Sequence, residues 1–342
     1  MFTPKEVLLE MSTDTKKMTI SQAINEAISQ AMEADSKILV FGEDVADRQG
    51  GGVLGVTRGL STRFGDDRVK STPISEQAII GAAIGAAMGG YKPIAELMLM
   101  NFSTVAMDMI VNHAAKLRFM SGGQTGVPIV IRMVTGAGFS SGGQHSDFLE
   151  AWFAHTPGLK VVMPSNPADA KGLMLSCIAD PDPCIFVECG RAYGTRGDVP
   201  VGMAPTPLGK AKVVREGKDV TIISYSEIVM RAQAAADLLE QKGVSAEIID
   251  LRTISPWDKD TVLASVRKTG RAVVAHEAVR AFGAGAEIAA TLQEEAFGDL
   301  RAPVRRVGGP YTPVPFSKVL EDAFVVTSAA IAEAACSTLE SA

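Results

Sequence analysis

Glu76 is the residue whose type and setting could do the most chemistry. It follows Thr72-Pro73-Ile74-Ser75 and heads a small-residue apolar run, Gln77 to Gly90, so one carboxylate stands at the mouth of a close-packing helix. A carboxylate that is partly desolvated there has its protonated form favoured, which moves it towards the range useful for proton transfer. The alternative is a water-facing glutamate that the helix macrodipole favours, and the local sequence leaves both open. Glu43 and Asp44 follow the apolar run Ile38 to Phe41, at the kind of strand end where open α/β sheets place ligands, although acidic residues there also serve as caps. His145 lies in a glycine-rich loop, Gly136 to Ser146, behind another apolar run, where a histidine is more readily a functional group than a core residue.

The remaining histidines are less pointed. His155 sits in the turn Ala154-His155-Thr156-Pro157-Gly158, a second candidate or a plain turn residue, while His113 in a helix and His276 at a strand end read as structural. No histidine pair has metal-ligand spacing, and H-E-x-x-H, cysteine-cluster and G-x-S-x-G patterns are absent, which argues against a transition-metal centre and a serine nucleophile. The cluster Asp47 to Gly55 lacks the spacing of a phosphate cradle and reads as a flexible loop.

The elements that must position these groups alternate. Ile20 to Met32 has helical periodicity and Ile38 to Phe41 reads as a buried strand. Helices then follow from Gln77, over 104–119 and over 167–179, with strands at 93–96, 128–132, 159–163 and 184–188. Continuous apolar strands between helices predict a parallel sheet covered on both faces. The pattern lapses over Arg191 to Pro207 and restarts as a second α/β unit, with strands at 220–224, 246–251 and 272–276 and helices at 229–242, 259–268 and 284–297. The division expected is therefore an extension at 1–16 (Met11 reads as a natural start), a first domain at 17–190, a linker at 191–207 and a second domain at 208–342.

Bulk properties bound the function. The chain has 342 residues, 46% hydrophobic and 21% charged, a size suited to two domains, and a net charge of −6 without a basic block, which argues against nucleic acid. Four cysteines without a C-x-x-C pair suggest a reducing compartment. No membrane span or signal core is apparent, so a cytoplasmic location is expected.

Taken together, Gly42-Glu43-Asp44-Val45, Thr72-Pro73-Ile74-Ser75-Glu76, Asn101-Phe102, Ala114-Ala115-Lys116, Ser121-Gly122-Gly123, Gln144-His145-Ser146, the segment from His155 to Val162 and Asp169-Ala170-Lys171-Gly172-Leu173 resemble the beta subunit of the thiamine-diphosphate-dependent E1 component of 2-oxo acid dehydrogenase complexes. Leu251-Arg252-Thr253-Ile254 and Pro313-Val314-Pro315-Phe316 extend the resemblance through the second half. It implies an α/β fold of two domains, a pyrimidine-binding domain and a transketolase C-terminal-like domain. It further implies that Glu76 hydrogen-bonds N1′ of the cofactor's aminopyrimidine and so assists loss of the thiazolium C2 proton. Glu43 falls among the cofactor-binding positions, Phe102 matches an aromatic that stacks on the aminopyrimidine, and His145 matches a histidine near the reacting carbon and the incoming lipoyl group. Ile129, Cys177, Ile178, Asp180 and Asp182 occupy the places of a structural potassium site built from backbone oxygens.

The Gly-Asp-Gly segment through which thiamine enzymes hold the diphosphate and Mg²⁺ does not occur. The resemblance therefore implies a separate alpha subunit that holds Mg²⁺, an α2β2 heterotetramer and a lipoyl-bearing E2 acyltransferase. Pyruvate is the leading 2-oxo acid, with acetoin or a branched-chain 2-oxo acid as alternatives. Departures at Leu97-Met98-Leu99-Met100 and Arg301 leave pocket and E2 docking open, and Gly51 to Thr57 with Tyr311 to Pro315 lean towards the acetoin type. The rivals are a self-sufficient transketolase, disfavoured by the missing motif, and a scaffold that has lost its chemistry.

Overall fold

The computed structural model describes residues 14–340, so a start at Met11 and most of the expected extension lie outside the described residues. The first sheet has seven strands, in the order Thr253–Ser255, Lys160–Val162, Cys184–Cys189, Val130–Thr135, Lys92–Leu99, Ile38–Gly42 and Val69–Ser71. All neighbours are parallel except Thr253–Ser255, which the second half of the chain lends antiparallel to Lys160–Val162. Val130–Thr135 and Cys184–Cys189 are buried at every position, as central parallel strands covered on both faces must be.

Successive side chains of a strand point to opposite faces, and the two faces have separate cores. On one side Ile94 packs with Ile24, Ile28, Leu173 and Met174, from the helices Ile20–Ala34 and Pro167–Ala179. Thr19 starts the first of these helices with a capping box, its hydroxyl accepting from the Gln22 N–H while Gln22 accepts from the Thr19 N–H. On the other side Ala95 and Leu97 pack with Ile79, Ile80, Ala83 and Ile84 of the helix Glu76–Met88. That second core runs on without a break into Ile249, Leu251, Val262 and Leu292 of the second unit, so the two units are packed against each other through apolar side chains.

The second sheet runs Arg305–Gly309, Ala272–Val279, Val220–Ser224, Ala246–Asp250 and Lys212–Arg215, with only the last strand antiparallel. Two expectations change. Residues 104–119 are not one helix: a 3-10 segment at Met100–Thr104 is followed by a π-helical stretch at Met109–Ala114 and a short helix at Leu117–Met120. Beside the π-helical stretch, Gly158 at φ +100° crosses so closely that a Cβ would lie 2.0 Å from the Ala115 carbonyl oxygen. The Asp47–Gly55 segment is not a flexible loop either. Asp47 accepts from the N–H of Gly59 and Thr62 and from the Ser61 and Thr62 hydroxyls, and these bonds hold its carboxyl down at about 2. Within 191–207, Arg196–Pro200 forms a strand that pairs antiparallel with Thr15–Thr19. Among the described residues no helix is long and apolar enough to cross a membrane.

At the junction Ser165 donates to Asp250 at 2.5 Å, and burial pushes the Asp250 carboxyl up to about 7. A carboxyl raised from about 4 in the unfolded chain contributes stability that is complete below pH 4 and is lost as the pH rises through 7. Asp250→Asn is expected to remove that loss, so the fall in stability from pH 5 to 7.5 should be about 2–3 kcal/mol smaller than in the parent. Denaturant unfolding at both pH values measures the difference.

Candidate active site at the carboxyl edge of the first sheet

Four consecutive strands of the first sheet deliver the candidate residues to one edge. Val69–Ser71 leads through Thr72, whose N–H donates to Gly42 O at 2.9 Å, to Glu76 at the first position of its helix. Ile38–Gly42 leads to Glu43, Lys92–Leu99 to Asn101 and Phe102, and Val130–Thr135 to the loop that bears His145. Carboxyl ends of parallel strands are where open α/β sheets bind ligands, because the loops there are free of the ladder.

Glu76 is 7% exposed although Ser75 and Gln77 on either side are exposed, so its side chain alone turns inward. Ser75 makes no side-chain cap, so the first-turn N–H groups of the helix take no acceptor from it. Glu43 is equally buried, and burial, followed by the charges of Glu76 and Asp44, pushes its carboxyl up from the ordinary value. The two carboxylates are thus near enough for the charge of one to act on the other. Asp44 takes φ 57° immediately afterwards, a left-handed conformation that a short polar side chain tolerates, and turns the chain away from the edge.

Phe102 is half-buried and meets the exposed His145 ring edge-on, with centroids 5.4 Å apart at 76°. Asn101 ties the two segments together. Its amide donates to Gly143 O at 3.0 Å and to Asp147 at 2.9 Å, and its oxygen accepts from the Asp147 N–H at 3.1 Å. In the sequence Asn101 is marked only by its place next to the candidate aromatic, as a short amide.

His155 caps the short helix Glu150–Ala154 and lines an apolar groove between the two units instead of joining this edge. His276 is fully buried, stacks on Tyr225 at 6.1 Å, and is pushed down to about 4 by burial. His113 is exposed and lies 3.5 Å from Asp108. Of the five residues of the potassium expectation, Cys177 and Ile178 lie in the last turn of the helix Pro167–Ala179 and Asp180 caps it, away from this edge. Ile129 O accepts from Cys184 N at 2.9 Å, Cys177 O accepts from Asp180 N at 3.3 Å, and Asp180 accepts from Lys160 Nζ at 2.5 Å. Asp182 pairs with Arg118.

A buried carboxylate at a helix head, an aromatic face and a histidine on one edge of a parallel sheet, backed by a second sheet of mixed topology, define a two-domain α/β protein of the transketolase type. The pyrimidine binding domain of transketolase matches residues 16–195 and the transketolase C-terminal domain matches residues 209–331. The chain belongs to the family of beta subunits of thiamine-diphosphate-dependent E1 components. It is 49% identical, over 95% of its length and 98% of the relative's, to the acetoin:2,6-dichlorophenolindophenol oxidoreductase subunit beta of Cupriavidus necator. It is 48% identical to the pyruvate dehydrogenase E1 component subunit beta of Acholeplasma laidlawii, over 88% of this chain and 92% of that one. With the mitochondrial 2-oxoisovalerate dehydrogenase subunit beta of Dictyostelium discoideum it shares 48% identity over 90% and 83%. A solved split-gene transketolase, described as an inactive beta4 tetramer, has the same fold, with a TM-score of 0.78 at 22% identity over 94% of this chain and 98% of that one.

Proposed function

We propose that this chain supplies the aminopyrimidine half of a thiamine diphosphate site that is completed by an alpha subunit. The observation that carries the reading is the buried Glu76 at the helix head, whose charge acts on the buried Glu43, on the same sheet edge as the Phe102 and His145 pair. These residues suit the cofactor chemically: a carboxyl that can hold a proton for a ring nitrogen, a flat apolar face for an aromatic ring, and an exposed imidazole beside it. When bound, the cofactor supplies the carbanion chemistry that cleaves a bond next to a carbonyl. Glu76 holds or releases the proton at the ring nitrogen, Glu43 adds a second buried carboxyl beside it, Phe102 orients the ring, and His145 gives or takes the proton of the acyl transfer. The domain division at 17–190 and 208–342, with 191–207 between, belongs to the same reading.

The diphosphate and its Mg²⁺ are assigned to the alpha subunit, because no Gly-Asp-Gly segment occurs in the sequence. Exposed Ile74 and Val105, next in sequence to the Glu76 and Phe102 segments, support a partner surface at this edge. The assembly proposed is an α2β2 heterotetramer that passes its acyl group to a lipoyl-bearing E2. A potassium ion is assigned to Ile129, Cys177, Ile178, Asp180 and Asp182, held by backbone oxygens at the negative end of the helix Pro167–Ala179. The substrate proposed is acetoin, on the strength of the relative at 49% identity over nearly the whole of both chains. Pyruvate is the second reading, favoured by the relative at 48% identity. Steady-state turnover of the reconstituted complex on acetoin, pyruvate and a branched-chain 2-oxo acid separates them. The acetoin reading expects kcat/KM for acetoin at least about tenfold above the others, and equal or higher values for pyruvate would overturn it.

A further inference from the structure

The Gly136–Ser146 loop is gripped from the second unit as well as from Asn101. Gly136 and Gly138 have φ +124° and +117°, and Ser140, a non-glycine residue, has φ 53°. Positive-φ residues that alternate with ordinary ones turn neighbouring N–H groups to one side and make a concavity for an anion. Here the anion is a side chain of the protein itself. Glu321, with no exposed surface, accepts from Gly138 N at 2.6 Å and from Ser140 N at 3.2 and 3.1 Å through its two carboxylate oxygens. Glu277, also buried, accepts from Ala137 N at 3.0 Å and takes Arg191 Nη2 at 2.5 Å on its other oxygen.

The fit around these bonds is close. A Cβ on Gly138 would lie 2.5 Å from Arg191 Cδ, and one on Gly143 would lie 3.0 Å from Pro313 Cβ. Ala137 packs with Val314 and Phe324, on either side of Glu321 in the chain. Buried backbone N–H groups need acceptors, and a carboxylate is the strongest that a side chain offers. The motif around Pro313-Val314-Pro315-Phe316 and the His145 loop, separate signals in the sequence, are two sides of one contact.

We propose that Glu321, seconded by Glu277, is a positioning residue for His145: the second domain holds the loop's amides and thereby fixes where the imidazole stands against Phe102. This rests on the reading of His145 as the group that serves acyl transfer. Neither glutamate touches the reacting atoms. Their loss should therefore act on the step that needs His145 and spare those that do not.

The test uses the complex reconstituted with its alpha subunit and three variants, Glu321→Ala, Glu321→Gln and His145→Ala. Acyl transfer to a lipoyl domain is compared with substrate-dependent reduction of an artificial dye, which bypasses that transfer, and amide hydrogen exchange is followed at Gly138 and Ser140. Glu321→Ala is expected to slow acyl transfer about 10- to 100-fold, as a misplaced catalytic group does, with dye reduction within about threefold of the parent. Glu321→Gln, which keeps a neutral acceptor and the volume, should fall between the two and raise exchange at both amides about tenfold, the loss of one charge-assisted bond. Unchanged exchange and unchanged acyl transfer in Glu321→Gln overturn the proposal, and this variant decides if Glu321→Ala does not fold. If His145→Ala itself leaves acyl transfer unchanged, the reading of His145 fails. If His145→Ala is slow and both Glu321 variants are not, the positioning role fails.

Discussion

Glu76→Gln is expected to lower turnover of the reconstituted complex by about 100- to 10,000-fold, the usual contribution of a positioned acid or base, while the fold survives. The amide matches the carboxylate in size, and the helix that Glu76 begins depends on Ile79, Ile80, Ala83 and Ile84 packing beneath it, not on the acid. Ser75 O still accepts from Ile79 N at 2.9 Å. What the substitution removes is the ability to carry a proton at that position. It also removes one of the charges that raise Glu43, so the Glu43 carboxyl should move down towards its ordinary value. Burial, the larger cause, remains. Carbon-13 NMR titration of the Glu43 carboxyl in the parent and the variant measures that shift, and circular dichroism confirms the fold. A variant with parental turnover would mean that the edge has the family's shape without its chemistry.

Arg132→Met is expected to cost about 3–5 kcal/mol of stability, the loss found when one partner of a buried ion pair is removed. The Arg132 guanidinium is buried in the middle of the first sheet, 2.5 Å from Glu96 through Nη1, with Nε and Nη2 at 2.8 and 2.9 Å from the two oxygens of Glu188. Tyr193 completes the group with a 2.5 Å bond to Glu188. Methionine fills much of the space but leaves two carboxylates buried without a cation. Burial already raises Glu96, and Arg132 is the first charge that opposes it. The variant's defect should accordingly shrink as the pH is lowered and the raised Glu96 carboxyl takes up a proton. Urea unfolding at pH 7.5 and 5.5 measures both effects, and a loss under about 1 kcal/mol at pH 7.5 would place the pair among interactions that merely break even. The group also underlies the site: a Cβ on Gly52 would lie 2.9 Å from Glu96 Oε1, so the glycine segment beside Glu43 rests directly on it.

How much of this was legible in the chain follows from the range of the interactions. The strands Ile38–Gly42, Val220–Ser224 and Cys184–Cys189 and the helix Pro167–Ala179 are written in local apolar runs and periodicity, and they lie within a residue of where the pattern puts them. Thr15–Thr19 is not, because Thr-Lys-Lys-Met-Thr has one buried residue and becomes a strand only by pairing with Arg196–Pro200 far along the chain. Thr253–Ser255 is a three-residue strand that joins the other domain's sheet. In the Asp47–Gly55 segment glycines suggest freedom, whereas Gly51 and Gly52 at φ +75° and +83° let the backbone turn under Arg58 and onto Glu96.

The candidate site divides in the same way. Glu43, Phe102 and His145 each follow an apolar strand, so their arrival at one edge could be argued from order alone, whereas Glu76 follows the short strand Val69–Ser71, whose Val-Lys-Ser gives no apolar run. The partners that hold them could not. Glu321 and Glu277 lie 183 and 140 residues from the loop amides they accept, and nothing local marks Glu321 as different from a surface glutamate or says which loop Glu277, at the end of an apolar strand, would reach.

The claim on which the rest depends is that this chain holds only one end of the cofactor. Isothermal titration of thiamine diphosphate with Mg²⁺ into the isolated chain, and into the chain mixed with its alpha subunit, tests it most directly. The account predicts no measurable binding to the isolated chain at tens of micromolar and micromolar or tighter binding to the mixture, a difference of at least about 3 kcal/mol. Micromolar binding by the isolated chain would contradict it.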